Sequence, residues 1–182
     1  MEITGDTLLP FSREKVWEHL NDPAILGQAV PDCQSLEAKS PTELEATVAA
    51  KVGPIKAVFK GDAVISESVA PESYTLTASG KGGVAGFASA VIKVKLTEQG
   101  DATRLDYRVE ANLGGKLAQL GTRLVESTAR KWAERFFHQF TEVISNGGVL
   151  PQTEAAPSGP GLWERLLILI KRLLGIQTKV AD

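Results

Sequence analysis

The sequence predicts an α+β fold: a curved antiparallel sheet of about seven strands closed over one long helix near the C-terminus. Three observations predict it. Apolar residues recur at helical spacing from Gly114 to about Asn146; from about Leu36 to Ala111 the period is two; and short turn-forming links separate the alternating runs. Long apolar helix faces need an equally long surface to lie on, and an antiparallel sheet with one greasy face supplies it.

In chain order, Ile3–Leu9 reads as a first strand, broken at Pro10. Ser12 is a good N-cap, with Phe11 and Val16 placed for a hydrophobic staple. The helix that follows, Arg13–Leu20, buries Val16, Trp17 and Leu20 and stops at Asn21. Asp22-Pro23 starts a short second helix, because Asp caps and Pro is preorganised for the first helical position; Pro31 ends it.

Alternation then takes over. Leu44, Ala46, Val48, Ala50 and Val52 share one face, followed across Gly53-Pro54 by Ile55, Ala57, Phe59, Gly61, Ala63 and Ile65. Tyr74, Leu76 and Ala78 continue that face, as do Ala88, Ala90, Ile92, Val94 and Leu96, then Thr103, Leu105, Tyr107, Val109 and Ala111. The opposite positions are mostly charged or polar, which marks half-buried strands. Links such as Ala70-Pro71-Glu72-Ser73 and Glu98-Gln99-Gly100-Asp101 favour a meander.

The long helix places Ala118, Thr122, Val125, Ala129, Trp132, Ala133, Phe136, Phe140 and Val143 on one stripe, with Arg123, Ser127, Arg130, Lys131, Glu134, His138 and Glu142 opposite. Small side chains fill the first half of that stripe and aromatic rings the second. A packed end and a hollow end, the latter near Gly114–Ala129, are therefore expected. The inward face of the strands agrees, being rich in Ala46, Ala50, Ala57, Gly61, Ala63, Ala78, Ala88, Ala90 and Ala111. Either an apolar guest occupies that room or the layers close tightly on each other. Expected ligand-lining residues are Ala46, Phe59, Tyr74, Ala88, Ala90, Tyr107, Leu117, Ala118, Thr122 and Val125. Leu117, Leu120 and Leu124 lie off the stripe and either pack under a loop or rim the cavity mouth.

Residues 1–146 make the domain, ended by the helix stop Asn146-Gly147-Gly148, and 147–161 read as a flexible linker rich in Pro, Gly, Ser and Ala. An amphipathic helix is expected over 162–176, followed by a short tail, 177–182. Leu162, Trp163, Leu166, Leu167, Leu169, Ile170, Leu173 and Leu174 cover most of that helix, while Lys171 and Arg172 share its polar strip with Glu164 and Arg165. About 15 residues reach only ~22 Å, short of the ~30 Å hydrocarbon core. The segment is thus expected to lie in the membrane interface, with Trp163 and the basic residues at headgroup level, its rivals being docking on a partner protein or on its own domain. Partial burial of the eight apolar side chains would supply ~4–8 kcal/mol, enough for reversible anchoring.

Composition narrows the rest. A net charge of −2 and a pI of about 5.8 exclude the basic surface that nucleic acid requires. One cysteine, Cys33, cannot form an internal disulfide, and the start of the chain carries no signal-peptide pattern, so a cytoplasmic location is expected. Catalytic chemistry has little to stand on. His19, Asp22 and Cys33 lack metal-ligand spacing, and the run Gly80–Gly86 lacks the Gly-Lys-Ser/Thr ending and the following helix of a phosphate loop. No acid, base or metal site is predicted.

From Ile3 to about Val143 the chain resembles the CoxG family of carbon monoxide dehydrogenase subunits, within the superfamily of START and polyketide-cyclase-like helix-grip domains. The resemblance rests on Trp17 with Asn21-Asp22-Pro23, Val52-Gly53-Pro54 with Lys60-Gly61, Thr103-Arg104-Leu105 with Tyr107, and above all Gly114-Gly115-Lys116-Leu117-Ala118-Gln119-Leu120-Gly121 before Phe136-Phe137 and Phe140. One departure is Asp32, between Pro31 and Cys33, where the family usually has Gly; it bears on the local turn. The resemblance implies a helix-grip fold, a hydrophobic cavity and, in several members, a membrane-binding tail. It implies an accessory protein without covalent cofactor that recruits a molybdenum-containing carbon monoxide dehydrogenase-type hydroxylase to the inner face of the cell membrane, with a bound quinone or other lipid. The rival expectations are a cyclase- or hydrolase-like enzyme on a small apolar substrate, and a pure membrane tether with a closed core.

Overall fold

The computed structural model describes residues 1–148 of the chain. The expected linker beyond Gly148, the amphipathic helix and the tail lie outside the described residues. Alternation builds one antiparallel sheet from β1 (Glu2–Leu9), β2 (Cys33–Ala38), β3 (Glu43–Val52), β4 (Ile55–Val69), β5 (Ser73–Lys81), β6 (Phe87–Gln99) and β7 (Ala102–Gly114). The spatial order is β1-β7-β6-β5-β4-β3-β2. β2 to β7 form the expected meander, and β1 returns to pair with β7, from Glu2 opposite Glu110 to Leu9 opposite Thr103.

Two helices, α1 (Arg13–Leu20) and α2 (Pro23–Ala29), connect the two edge strands. Their starts follow from their caps: the Ser12 hydroxyl accepts from the Lys15 N–H at 3.4 Å, and the Asp22 carboxylate from the Ala24 N–H at 2.8 Å. After α2 the chain turns through Asp32, whose φ of +58° lies in the left-handed region. That is the position where glycine would be the unstrained choice. Asp32 also holds Arg135 of the long helix at 3.0 Å.

The long helix, α3 (Thr122–Ser145), begins later than the periodicity suggests. Gly114 ends β7, and Ala118–Leu120 form a separate 3₁₀ turn. Glycines at 114, 115 and 121, the last two with positive φ, break the helical pattern there. The end is as expected: the Gly148 N–H reaches the Val143 carbonyl at 2.8 Å and the Gly147 N–H the Ile144 carbonyl at 3.2 Å, with Gly147 at φ +69°. This double closure needs a residue free to go left-handed after the last turn.

Packing is concentrated at one pole. Leu9, Val16, Leu20, Ile25, Ala29, Leu96, Leu105, Phe140, Val143 and Ile144 form a closed core between α1, α2, the second half of α3 and the adjoining strands. Trp132 corrects the expected stripe. It lies 37% exposed and stacks on Phe136 at 6.0 Å instead of facing the sheet.

Candidate functional site

Register does what alternation alone cannot: it lines the small residues up. Ala63 of β4 pairs with Ala78 of β5, Ala78 with Ala90 of β6, and Ala90 with Ala111 of β7. One row nearer the β3–β4 turn, Ala46 pairs with Gly61, Gly61 with Gly80, Gly80 with Ala88, and Ala88 with Leu113. Two adjacent rows of the helix-facing side are therefore almost bare of side chain across five strands. In a filled core such alanines would be fully covered. Here Ala46, Ala63, Ala78, Ala88, Ala90 and Ala111 are only half-buried, as are Val125, Ala129 and Ala133 on the facing stripe of α3. The nearest backbone approaches of α3 are to α2, β1 and β3, at the flanks of the floor. A hollow remains under the first half of the helix.

Larger side chains bound it. Phe59 lies across Gly82, where no side chain would fit beneath its ring. Ile65, Leu76 and Ile92 form the next row and pack against the closed core. Beyond them stand Tyr74, Val94 and Tyr107, opposite Gly5 of β1. Tyr74 is 8% exposed and meets Trp17 edge-on at 5.7 Å. Burial pushes its hydroxyl far above the ordinary tyrosine range, and among the described residues that hydroxyl has no hydrogen-bond partner. Tyr107 packs on Phe137 at 5.7 Å and passes over Gly5 so closely that a Cβ there would collide with its ring. Its hydroxyl is also raised, chiefly by burial; Arg130 opposes this, while Glu134 and Asp6 add to it.

Of the expected ligand-lining residues, Ala46, Ala88, Ala90 and Phe59 share the concave floor, Val125 lies on the facing stripe, and the two tyrosines stand at the floor's inner end. Two expectations are corrected. Ala118 and Thr122 are exposed, because the chain there is a 3₁₀ turn and the first helical residue, not the middle of a helix facing the sheet. Leu117, 3% exposed, takes the loop-packing alternative: its N–H donates to the Ala85 carbonyl at 3.1 Å beneath the 3₁₀ turn Gly83–Ala85. Sequence reasoning passed over Phe137 and Gly5. The signal for Gly5 was an isolated glycine in a strand, which often marks a close approach.

Two open depressions lie outside the floor. One, of about 760 Å³, is on the other side of the sheet among Thr75, Lys93, Lys95, Asp106 and Arg108, with Glu67 bonded to Thr75 at 2.7 Å. The other, of about 380 Å³, lies between β1 and α3. Both have charged linings. Among the described residues no group of His, Cys, Asp and Glu could hold a metal, and no helix is long and apolar enough to cross a membrane.

The family model for CoxG, a carbon monoxide dehydrogenase subunit, matches residues 5–145. The chain belongs to the CoxG family. Solved structures agree on the fold. A conserved protein from Geobacillus kaustophilus is 28% identical, with 81% of this chain and 97% of that one covered and a TM-score of 0.76. A START superfamily protein from Mycobacterium smegmatis is 12% identical, covering 80% and 97%, with a TM-score of 0.62. Ara h 8.0201 is 15% identical over 80% and 98%, with a TM-score of 0.59. No protein of curated function matches the sequence significantly. Sheet, long C-terminal helix and START-like neighbours together make this CoxG protein a helix-grip protein of a ligand-binding kind.

Proposed function

We propose that this CoxG family member is a non-catalytic carrier and adaptor. Its hollow shelters an apolar molecule, a quinone being the occupant that fits the family's setting. Its C-terminal segment, Leu162–Leu174 with Lys171 and Arg172, anchors it reversibly on the inner face of the cell membrane. There it recruits a molybdenum-containing carbon monoxide dehydrogenase-type hydroxylase and passes the apolar molecule between bilayer and enzyme. The observation that carries the reading is the pair of alanine and glycine rows aligned across β3 to β7 beneath the small-residue half of α3. Such a surface gives an apolar guest burial without requiring charged partners, worth about 25 cal/mol per Å² of area removed from water.

Sheltering requires neither acid nor base, which suits a concave register whose polar groups are hydroxyls. Native mass spectrometry and solvent extraction of the purified protein test the carrier role: a co-purified quinone or isoprenoid is expected, and a protein that stays empty when offered quinone overturns it. Vesicle flotation of the full chain and of one lacking Leu162–Asp182 tests the anchor. Equal flotation of the two would reject it.

A further inference from the structure

The mouth of the hollow carries a charge pattern that the chain's overall composition conceals. Three connections meet at that pole: the β3–β4 turn, the 3₁₀ turn Gly83–Ala85 between β5 and β6, and the β7–α3 link. They touch one another. Leu124 at the start of α3 presses a methyl group against Gly53, and the Leu117 N–H bonds to Ala85. Within 51–60, 81–87 and 113–124 the charged residues are Lys51, Lys56, Lys60, Lys81, Lys116 and Arg123, with no acidic residue among them, in a chain whose net charge is −2. All six are exposed, and only Lys60 has a carboxylate partner among the described residues, Glu45 at 3.5 Å. Inside this ring of cations stand apolar side chains open to solvent: Val84 at 86% exposure, Phe87 at 50% and Leu124 at 37%. The other pole is the reverse, with Glu14, Glu72 and Glu98 gathered around Arg13 and Asp101 in the β6–β7 turn.

We propose that this pole of the globular domain docks directly on an anionic lipid surface, mouth downward, as a contact separate from the C-terminal segment. Apolar tips encircled by unpaired cations match a bilayer interface, where headgroup phosphates take the lysines and the acyl boundary takes Val84 and Leu124. A partner protein would have to offer an acidic ring around an apolar centre; an anionic leaflet offers both everywhere. Docking in this pose sets the hollow's opening against the lipid, so an apolar molecule could enter without crossing water. The docking itself is independent of whether the hollow is filled.

The test uses the full chain in a Cys33→Ser background. An environment-sensitive dye is placed on Val84→Cys or, at the opposite pole, on Gln99→Cys. With phosphatidylcholine vesicles containing phosphatidylglycerol, a blue shift is expected at position 84 and none at 99. The shift should weaken in pure phosphatidylcholine, and each of Lys51→Gln, Lys56→Gln, Lys81→Gln and Lys116→Gln should weaken it about five-fold, one surface cation's worth. Vesicle-bound protein whose dye at 84 keeps its aqueous emission would overturn the proposal, leaving the contact to the C-terminal segment. So would equal shifts at 84 and 99, or a shift at 84 indifferent to the four substitutions. A protein found empty of quinone would leave the docking result standing.

Discussion

Asp32 and Gly5 show how single positions carry the turn and the edge. At φ +58° an aspartate is tolerated and a β-branched residue is strained by roughly 1–2 kcal/mol. Asp32→Gly is expected to hold or slightly raise stability, since the exposed Arg135 pair it loses is worth about 0–1 kcal/mol; Asp32→Val should lower it by about 1–2 kcal/mol in urea denaturation. Gly5→Ala forces a methyl group into the Tyr107 ring and is expected to cost roughly 1–3 kcal/mol. Shortening the ring's reach with Tyr107→Leu should recover much of that loss, so a double-mutant cycle measures the coupling. Tyr74 makes a pH prediction. Its folded-state pKa lies above that of the unfolded chain, so the native state holds the proton longer. The contribution is complete below pH ~10 and declines above it, by up to ~1.4 kcal/mol per pH unit. Denaturation of the parent and Tyr74→Phe at rising pH should show that extra slope only in the parent; identical slopes would contradict the assignment.

At the scale of elements, the two halves of α3 should respond oppositely to volume. Phe140 is fully buried, and Phe140→Ala is expected to cost about 3–5 kcal/mol. Ala90→Leu would cost about 1–3 kcal/mol in a filled core. Over the hollow it should be neutral or stabilising in thermal melts, while lowering any uptake of apolar ligand. A large loss of stability from Ala90→Leu would mean that the layers touch there. The strands were legible residue by residue because alternation is a local property that a half-buried strand imposes on its own sequence. The start of α3 was not. Leu117, Ala118 and Thr122 continue the helical period, yet Gly114, Gly115 and Gly121 place the chain in conformations a helix cannot use, and those local preferences prevail before packing can favour the helix. The exposure of Trp132 follows from the position of α3 against α2, which no periodicity encodes.

For the whole molecule, a graded core implies graded stability. Amide hydrogen exchange of the full chain should be slower across residues 134–145, packed on α1 and α2, than across 122–133 over the hollow. Addition of the apolar ligand should slow the second group and leave the first nearly unchanged. The sequence by itself determined the fold class, the inward alanines, both helix caps before α1 and α2, and the family, since each is written in local spacing or in motifs of neighbouring residues. Only the tertiary structure decided that those alanines and glycines fall into two continuous rows, that Tyr107 needs Gly5, and that lysines far apart in sequence encircle one opening. Register and topology bring distant positions together, and neither leaves a mark in any one stretch of chain.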